Sequence, residues 1–250
     1  MPERITLPRR IPWRQHRAWL DQHWHAGQHV SIVAATGGGK SYLIRHGLLP
    51  LWRQYRTLLI DVKGDDATYA GYGVPVTRIP EAELSREGPR PAGQGERLYR
   101  LIVPEFEYQP GRPDRVGLRK AQEVAGRAID QAYKSGLWVV VLDEARAVVD
   151  SPQSFGLGLR GLVENIWQRG RSRGVTLIAA TQQPLWMPSS FYTQPSLIYL
   201  SRMLEPPTEH FREVGGNSRV IREVVTRLER YEFLVIERDS GRMAIVRVGR

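Results

Sequence analysis

Short, unbroken apolar runs punctuate this chain, each closed by small, acidic or polar residues and followed by a stretch with helical spacing. The runs at 30–35, 57–62, 137–142, 175–180 and 197–200 have the length and β-branched content of strands buried on both faces. Residues 97–103 alternate apolar and polar positions and predict another strand. Between these lie helical patterns at 14–25, 40–52, 115–133 and 159–171. The tail at 231–248 reads as two strands joined by Asp239-Ser240-Gly241, a hairpin turn signal. Residues 71–95, rich in Pro and Gly, predict irregular surface structure rather than a domain boundary.

Strands alternating with helices predict an α/β fold: a mostly parallel sheet flanked by helices on both faces, with the C-terminal antiparallel hairpin extending one edge. No internal repeat interrupts this pattern. Residues 1–28 form a basic, Trp-rich N-terminal lead-in with Trp13, Trp19 and Trp24 among Arg9, Arg10, Arg14 and Arg17, and residues 29–250 form a single domain. A chain of 250 residues, 41% of them hydrophobic, is enough for one substantial core.

Charge alters the picture first. The chain carries 36 Lys and Arg against 26 Asp and Glu, a formal +10, so its surface attracts polyanions before any specific contact forms. Nucleic acid is the leading partner class, although an excess of Arg also serves solubility alone. The absence of cysteine excludes disulfides, thiolate zinc sites and thiol catalysis. The opening residues carry no signal-peptide pattern, and no apolar run reaches the roughly 18 residues of a membrane span. The expected setting is therefore cytoplasmic.

The junction between the run at 30–35 and the helix at 40–52 reads Ala34-Ala35-Thr36-Gly37-Gly38-Gly39-Lys40-Ser41. This is the P-loop pattern, with Ala34 where the first glycine is usual. Glycines let successive backbone N–H groups turn inward around phosphates, and the following helix adds its positive end. Thr36, Gly37, Gly38, Gly39, Lys40 and Ser41 are the expected ATP-binding residues, Lys40 as the point charge on the phosphates. Ser41 would offer its hydroxyl to Mg²⁺.

Hydrolysis further needs a carboxylate for the metal and a group that orients or deprotonates water. Asp143 and Glu144, leaving the strand at 137–142, suit those two roles because adjacent residues at a strand end point different ways. Asp143 is the expected metal ligand with Ser41, and Glu144 the expected catalytic base. Gln182, ending the run at 175–180 within Thr181-Gln182-Gln183-Pro184, lies where a polar side chain senses the γ-phosphate, or else forms a turn before Pro184. His16, His23, His25 and His29 lack the carboxylate spacing of a metal site.

Three segments together resemble the FtsK/HerA-type translocating P-loop ATPases, whose compact members include viral genome-packaging ATPases. They are Ala35 through Ser41, the stretch Ile60-Asp61-Val62-Lys63-Gly64-Asp65, and the run from Gly170-Arg171-Ser172-Arg173-Gly174 into Thr181-Gln182-Gln183-Pro184. The resemblance implies a RecA-like core acting as a homo-oligomeric ring, a hexamer, that hydrolyses ATP to move double-stranded DNA. It also implies a capsid portal or vertex protein, or a transfer apparatus, as a partner.

In such a ring each site is completed by an arginine from the neighbour, and the resemblance assigns that catalytic role to Arg171, with Arg173 and Arg169 next. The competing reading of these arginines is a complement to a helix dipole. DNA contacts are expected from 104–120, with Arg112, Arg115, Arg119 and Lys120, or from 185–194, with Trp186, Phe191 and Tyr192. The alternative to a motor is a nucleotide-dependent switch that docks on a protein partner.

Overall fold

The computed structural model describes residues 7–52, 55–62, 69, 74–76, 98–103, 108–109, 112–152, 156–204, 212–214 and 217–249. Its strands are β1 (Arg9–Pro12), β2 (Val30–Val33), β3 (Arg56–Asp61), β4 (Val74–Val76), β5 (Leu98–Ile102), β6 (Tyr108–Gln109), β7 (Arg112–Pro113), β8 (Trp138–Leu142), β9 (Thr176–Thr181), β10 (Leu197–Leu200), β11 (Glu232–Glu237) and β12 (Arg242–Arg247). Ten of them form one sheet in the order β1-β12-β11-β10-β2-β9-β8-β3-β5-β4, while β6 and β7 pair separately.

Within the large sheet only β11 runs against its neighbours, pairing antiparallel with both β10 and β12. The C-terminal hairpin is thus antiparallel as its turn residues imply, but it does not end the sheet. The lead-in strand β1 adds in parallel outside β12, Arg9 opposite Ala244, and forms the edge. Arg10 Nε reaches the buried Glu232 carboxylate across that edge at 3.1 Å.

The apolar runs follow from burial on both faces. Along β8, Val140 and Leu142 face one core while Val139 and Val141 face the other, and β9 divides Leu177 and Ala179 from Ile178 and Ala180 in the same way. The first core is covered by α3 (Arg115–Ser135), α5 (Arg160–Arg169), α6 (Ser190–Thr193) and α7 (Ser218–Arg227). The second is covered by α1 (Trp13–His23), through Leu20, and by α2 (Lys40–Tyr42) with its continuation through Leu43, Ile44 and Leu48.

Helix α2 begins as Lys40–Tyr42, widens into the π-helical stretch Leu43–Leu48 and tightens into the 3-10 turn Leu49–Trp52. Pro50 brings no N–H to continue a regular ladder, and Gly47 admits the Trp13 ring, which lies 2.8 Å from where a Cβ would stand. A short helix, α4 (Ala145–Val149), follows β8 directly.

Of the elements outside the sequence reading, two escaped it for different reasons. Helix α7 buries Val220, Ile221, Val224 and Val225, a spacing that marks a helical face, and Asn217 caps it by accepting from the N–H groups of Arg219 and Val220. Strand β4 lies in the Pro- and Gly-rich stretch where only tertiary pairing with β5 makes a strand. No described helix is long and apolar enough to cross a membrane.

Two histidines are built into the cores. His16 shares a 2.8 Å hydrogen bond with the Tyr199 hydroxyl, and the Leu177 N–H donates to His29 Nδ1 at 3.0 Å. Burial lowers the pKa of each to about 4, with the Arg171 charge adding to the effect at His29. The unfolded chain therefore takes up protons near 6.5 that the fold refuses. Stability present above that pH is lost as pH falls toward 4, by about 3 kcal/mol for each histidine at the limit. We expect the urea midpoint to drop markedly from pH 7 to pH 5, and to drop less in His16→Gln; an unchanged slope in that variant would remove His16 from this account.

Candidate active site

Parallel pairing aligns the carboxyl ends of the central strands. Val33 of β2 stands opposite Thr181 of β9, and Leu142 of β8 opposite Ala179, so the segments leaving these three strands open onto one rim. The glycine loop leaves β2 there. Ala34 is fully buried in the second core, and its N–H donates to the Thr181 carbonyl at 3.1 Å, so the methyl group in place of the usual glycine is packed without displacing the loop's first residue.

The loop then turns through two left-handed glycines, Gly37 at φ +73° and Gly39 at φ +93°, conformations that L side chains resist. Gly39 N-caps α2, and its carbonyl accepts from the Leu43 N–H at 2.8 Å.

Lys40, Ser41 and Asp143 converge across the rim. The Lys40 ammonium donates to Asp143 Oδ1 at 2.7 Å, and the Ser41 hydroxyl donates to Oδ2 of the same carboxylate at 2.8 Å. Both members of the ion pair are largely buried, their side chains 9% and 13% exposed. At β9, Gln182 Oε1 accepts from the Thr36 hydroxyl at 2.7 Å, joining the loop to the Thr-Gln strand end. Thr181 turns inward, its hydroxyl accepting from the Gln183 N–H at 3.0 Å. Glu144 N-caps α4 through its backbone, with its side chain half-buried beside the pocket that Lys40, Asp143 and Ala147 line. Sequence reasoning named every member of this group.

The donor set suits a hard divalent cation. Besides the Asp143 carbonyl, which also accepts from the Lys40 ammonium, one carboxylate and one hydroxyl are the protein oxygens at the point of convergence, and no trio of His, Cys, Asp or Glu gathers among the described residues. Mg²⁺ keeps several waters and is characteristically held by one or two protein oxygens together with substrate phosphates, which matches Ser41 and Asp143.

Asp61, on the wall of that pocket, belongs to a buried pair that sequence reasoning placed only in part. Asp61, the last residue of β3, accepts from Arg100 Nε at 2.7 Å, and Arg100 also donates to the Tyr69 carbonyl at 3.3 Å. Both charged residues are buried. Asp61 belongs to the Ile60 through Asp65 segment, whose Lys63, Gly64 and Asp65 lie outside the described residues. Arg100 has no motif of its own; it meets Asp61 because β3 and β5 pair in parallel.

Tyr231 was also missed. It precedes β11 in a left-handed conformation, φ +65°, and its ring lies against Gly39, where an added Cβ would stand 2.6 Å from Tyr231 Cδ1.

Other expected residues fall elsewhere. Arg171 and Arg173 are exposed in the 3-10 turn Gly170–Arg173, with Arg169 at the end of α5 just before it. This turn leads into the amino end of β9, whereas the phosphate-loop side chains gather at its carboxyl end. Arg171 therefore does not reach the loop of its own chain. Of the aromatic residues expected to face DNA, Phe191 and Tyr192 are buried in the first core, which removes them from that role, while Trp186 is exposed, as is Leu185 beside it. The Arg146 guanidinium lies over the Trp186 ring at 5.1 Å. Of the basic segment at 104–120, Arg115, Arg119 and Lys120 are exposed on the first turns of α3; 104–107, 110 and 111 lie outside the described residues, and nothing is described of the Arg112 side chain.

No family model matches the chain, and no curated protein matches it in sequence. Solved structures do match. The DNA-packaging ATPase B204 of Sulfolobus Turreted Icosahedral Virus superposes with a TM-score of 0.60 at 21% identity, over 90% of this chain and 100% of that one. VirB4 of Thermoanaerobacter pseudethanolicus gives 0.62 at 13% identity, over 89% of each chain. The genome-packaging NTPase B204 of Sulfolobus turreted icosahedral virus 2, solved in complex with ATP-gammaS, gives 0.58 at 20% identity, over 87% of this chain and 95% of that one. The fold is that of these three structures, shared over nearly the whole of this chain.

The two left-handed glycines separate backbone strain from steric fit. A Cβ at Gly37 meets nothing within 4 Å, whereas one at Gly39 meets the Tyr231 ring. We expect Gly37→Ala to cost about 1 kcal/mol in urea unfolding and Gly39→Ala about 1 to 3 kcal/mol more. Equal losses would mean that Tyr231 moves aside freely.

Proposed function

We propose that this protein is an ATPase that moves double-stranded DNA as a homo-oligomeric ring. The observation that carries the reading is the convergence of Lys40, Ser41 and Asp143 within 2.7 to 2.8 Å at the carboxyl rim of β2 and β8, with Gln182 joined to Thr36 beside them. The fold shared with B204, a DNA-packaging ATPase, supports the motor class. The +10 charge supports a polyanionic track.

In this reading the backbone N–H groups of Gly37 to Lys40 cradle the β- and γ-phosphates, and Lys40 neutralises charge on them. Ser41 and Asp143 hold Mg²⁺, which when bound offsets phosphate charge and orients the polyphosphate. Glu144, which follows Asp143 at the end of β8 and lines the same pocket, orients the attacking water and accepts its proton. Gln182, through Thr36, reports the presence of the γ-phosphate to the segment after β9.

Arg171 acts in trans. Its place at the amino end of β9 separates it from its own loop, so it serves only a site on a neighbouring subunit, where a guanidinium stabilises charge developing on the transferred phosphoryl group. Supplying that group across an interface couples hydrolysis to movement between subunits. Exposed basic side chains such as Arg115, Arg119 and Lys120 contact the DNA backbone without reading sequence. A capsid portal or vertex, or a DNA-transfer apparatus, would anchor the ring.

Three variants and one size measurement test this. Lys40→Ala abolishes nucleotide binding and turnover. Glu144→Gln keeps binding and lowers turnover by about 10² to 10⁴. Arg171→Ala is inactive alone, yet its intact loop supports turnover when mixed with Lys40→Ala subunits that supply the missing arginine. Turnover is stimulated by duplex DNA at low salt, alongside a ring detected by size measurement with ATP and DNA. A ring whose turnover ignores DNA would sink the translocase reading and favour a nucleotide-dependent switch docking on a protein.

A further inference from the structure

The order of strands around the loop gives the bound nucleotide a direction. Asp143 and Glu144 leave β8, and Gln182 leaves β9, so the groups suited to the terminal phosphate all stand on one side of β2. A polyphosphate lying across the mouth of β2 with its γ end toward them directs its nucleoside to the other side, over β10 and β11. Tyr231 stands there, at the start of β11.

The Tyr231 ring touches the loop itself, at Gly39, and the residue holds a left-handed backbone that a tyrosine rarely adopts. The Val248 N–H donates to its carbonyl at 3.1 Å and fixes that turn. Strain of this kind persists where surrounding structure enforces it and gathers at ligand sites.

Tyr42, directly after Ser41, lies with its ring centroid 6.2 Å from that of Tyr231 and is 40% exposed, one of the few large apolar side chains so open to solvent. His46, one turn on, tilts against Tyr42 at 4.4 Å. Arg230 lies over the Tyr231 ring at 4.9 Å. Aromatic surface thus borders the phosphate loop on the side away from the catalytic carboxylates.

We infer that Tyr231 and Tyr42 form the subsite that stacks the purine base of the nucleotide. This rests on the phosphate-loop reading and names the residues that extend it beyond the phosphates. Stacking on a tyrosine face uses the π surface of the base rather than its hydrogen-bonding edge, so the subsite contributes affinity with little preference between adenine and guanine.

The test compares a ligand with a base to one without. Calorimetric titration of the full chain with ADP and with inorganic tripolyphosphate, each with Mg²⁺, reads the two halves of the site separately. Tyr231→Ala is expected to weaken ADP by about tenfold or more, the loss of one base-stacking contact, and to leave tripolyphosphate within about twofold. Tyr231→Phe should bind both like the parent. Tyr42→Ala, at an exposed position on which neither core depends, should weaken ADP severalfold and spare tripolyphosphate, which keeps the inference testable if Tyr231→Ala does not fold.

Equal weakening of ADP and tripolyphosphate would make Tyr231 a buttress for the loop and overturn the inference. Unchanged ADP affinity in both alanine variants would overturn it as well. Both of those outcomes leave the ATPase reading intact. Parent protein that binds neither ligand would instead overturn the phosphate-loop reading and the base subsite with it.

Discussion

The bond between the Lys40 ammonium and the Asp143 carboxylate is the constraint on which the site depends. It spans β2 and β8, which are not adjacent but flank β9, so it forms only when all three strands are paired in register. A charge pair this deeply buried is costly to leave half-made, because either partner alone would face a low-dielectric interior. The same carboxylate takes the Ser41 hydroxyl, so one side chain holds both loop residues, Lys40 and Ser41. Register in the sheet is thereby converted into geometry at the rim.

A second layer of constraint surrounds the loop. Gly39 has a backbone that only glycine adopts easily and a surface with no room for a methyl group, because Tyr231 occupies the space. Tyr231 is itself held in a left-handed turn by the β11-β12 end of the sheet. The hairpin thus bears on the loop although it carries no motif of its own. The lead-in bears on it too, since β1 closes the sheet beyond the hairpin and Trp13 packs against Gly47 of α2.

Charge is arranged along the strand direction. Asp143 and Glu144 stand at the carboxyl end of the sheet, whereas Arg169, Arg171 and Arg173 cluster where β9 begins. The strand order thus keeps these arginines at the far end of the sheet from the glycine loop. It also places His29, buried and neutral, directly beneath that arginine cluster, with Arg171 helping to keep it uncharged.

By itself the sequence determined the buried central strands, the glycine loop and the motifs at the strand ends, because each is local. An unbroken apolar run puts apolar side chains on both faces of a strand and must bury both, and Gly37 to Ser41, Asp143-Glu144 and Thr181-Gln182 are recognisable as contiguous motifs. Even α7 was legible, since Val220, Ile221, Val224 and Val225 write its buried face in plain spacing. What only the tertiary structure decided are the meetings between residues far apart in the chain. Arg100 reaches Asp61 through the β3-β5 register, Tyr231 reaches Gly39 through the return of the hairpin beside β10, and Phe191 and Tyr192 turn from a surface loop into core. Even the meaning of Arg171 changed, because only strand direction reveals that it stands at the far end of the sheet from its own phosphate loop. The physical reason is common to all four: local pattern fixes which face a residue turns toward, while its neighbour on that face is set by strand order and register, which no short segment encodes.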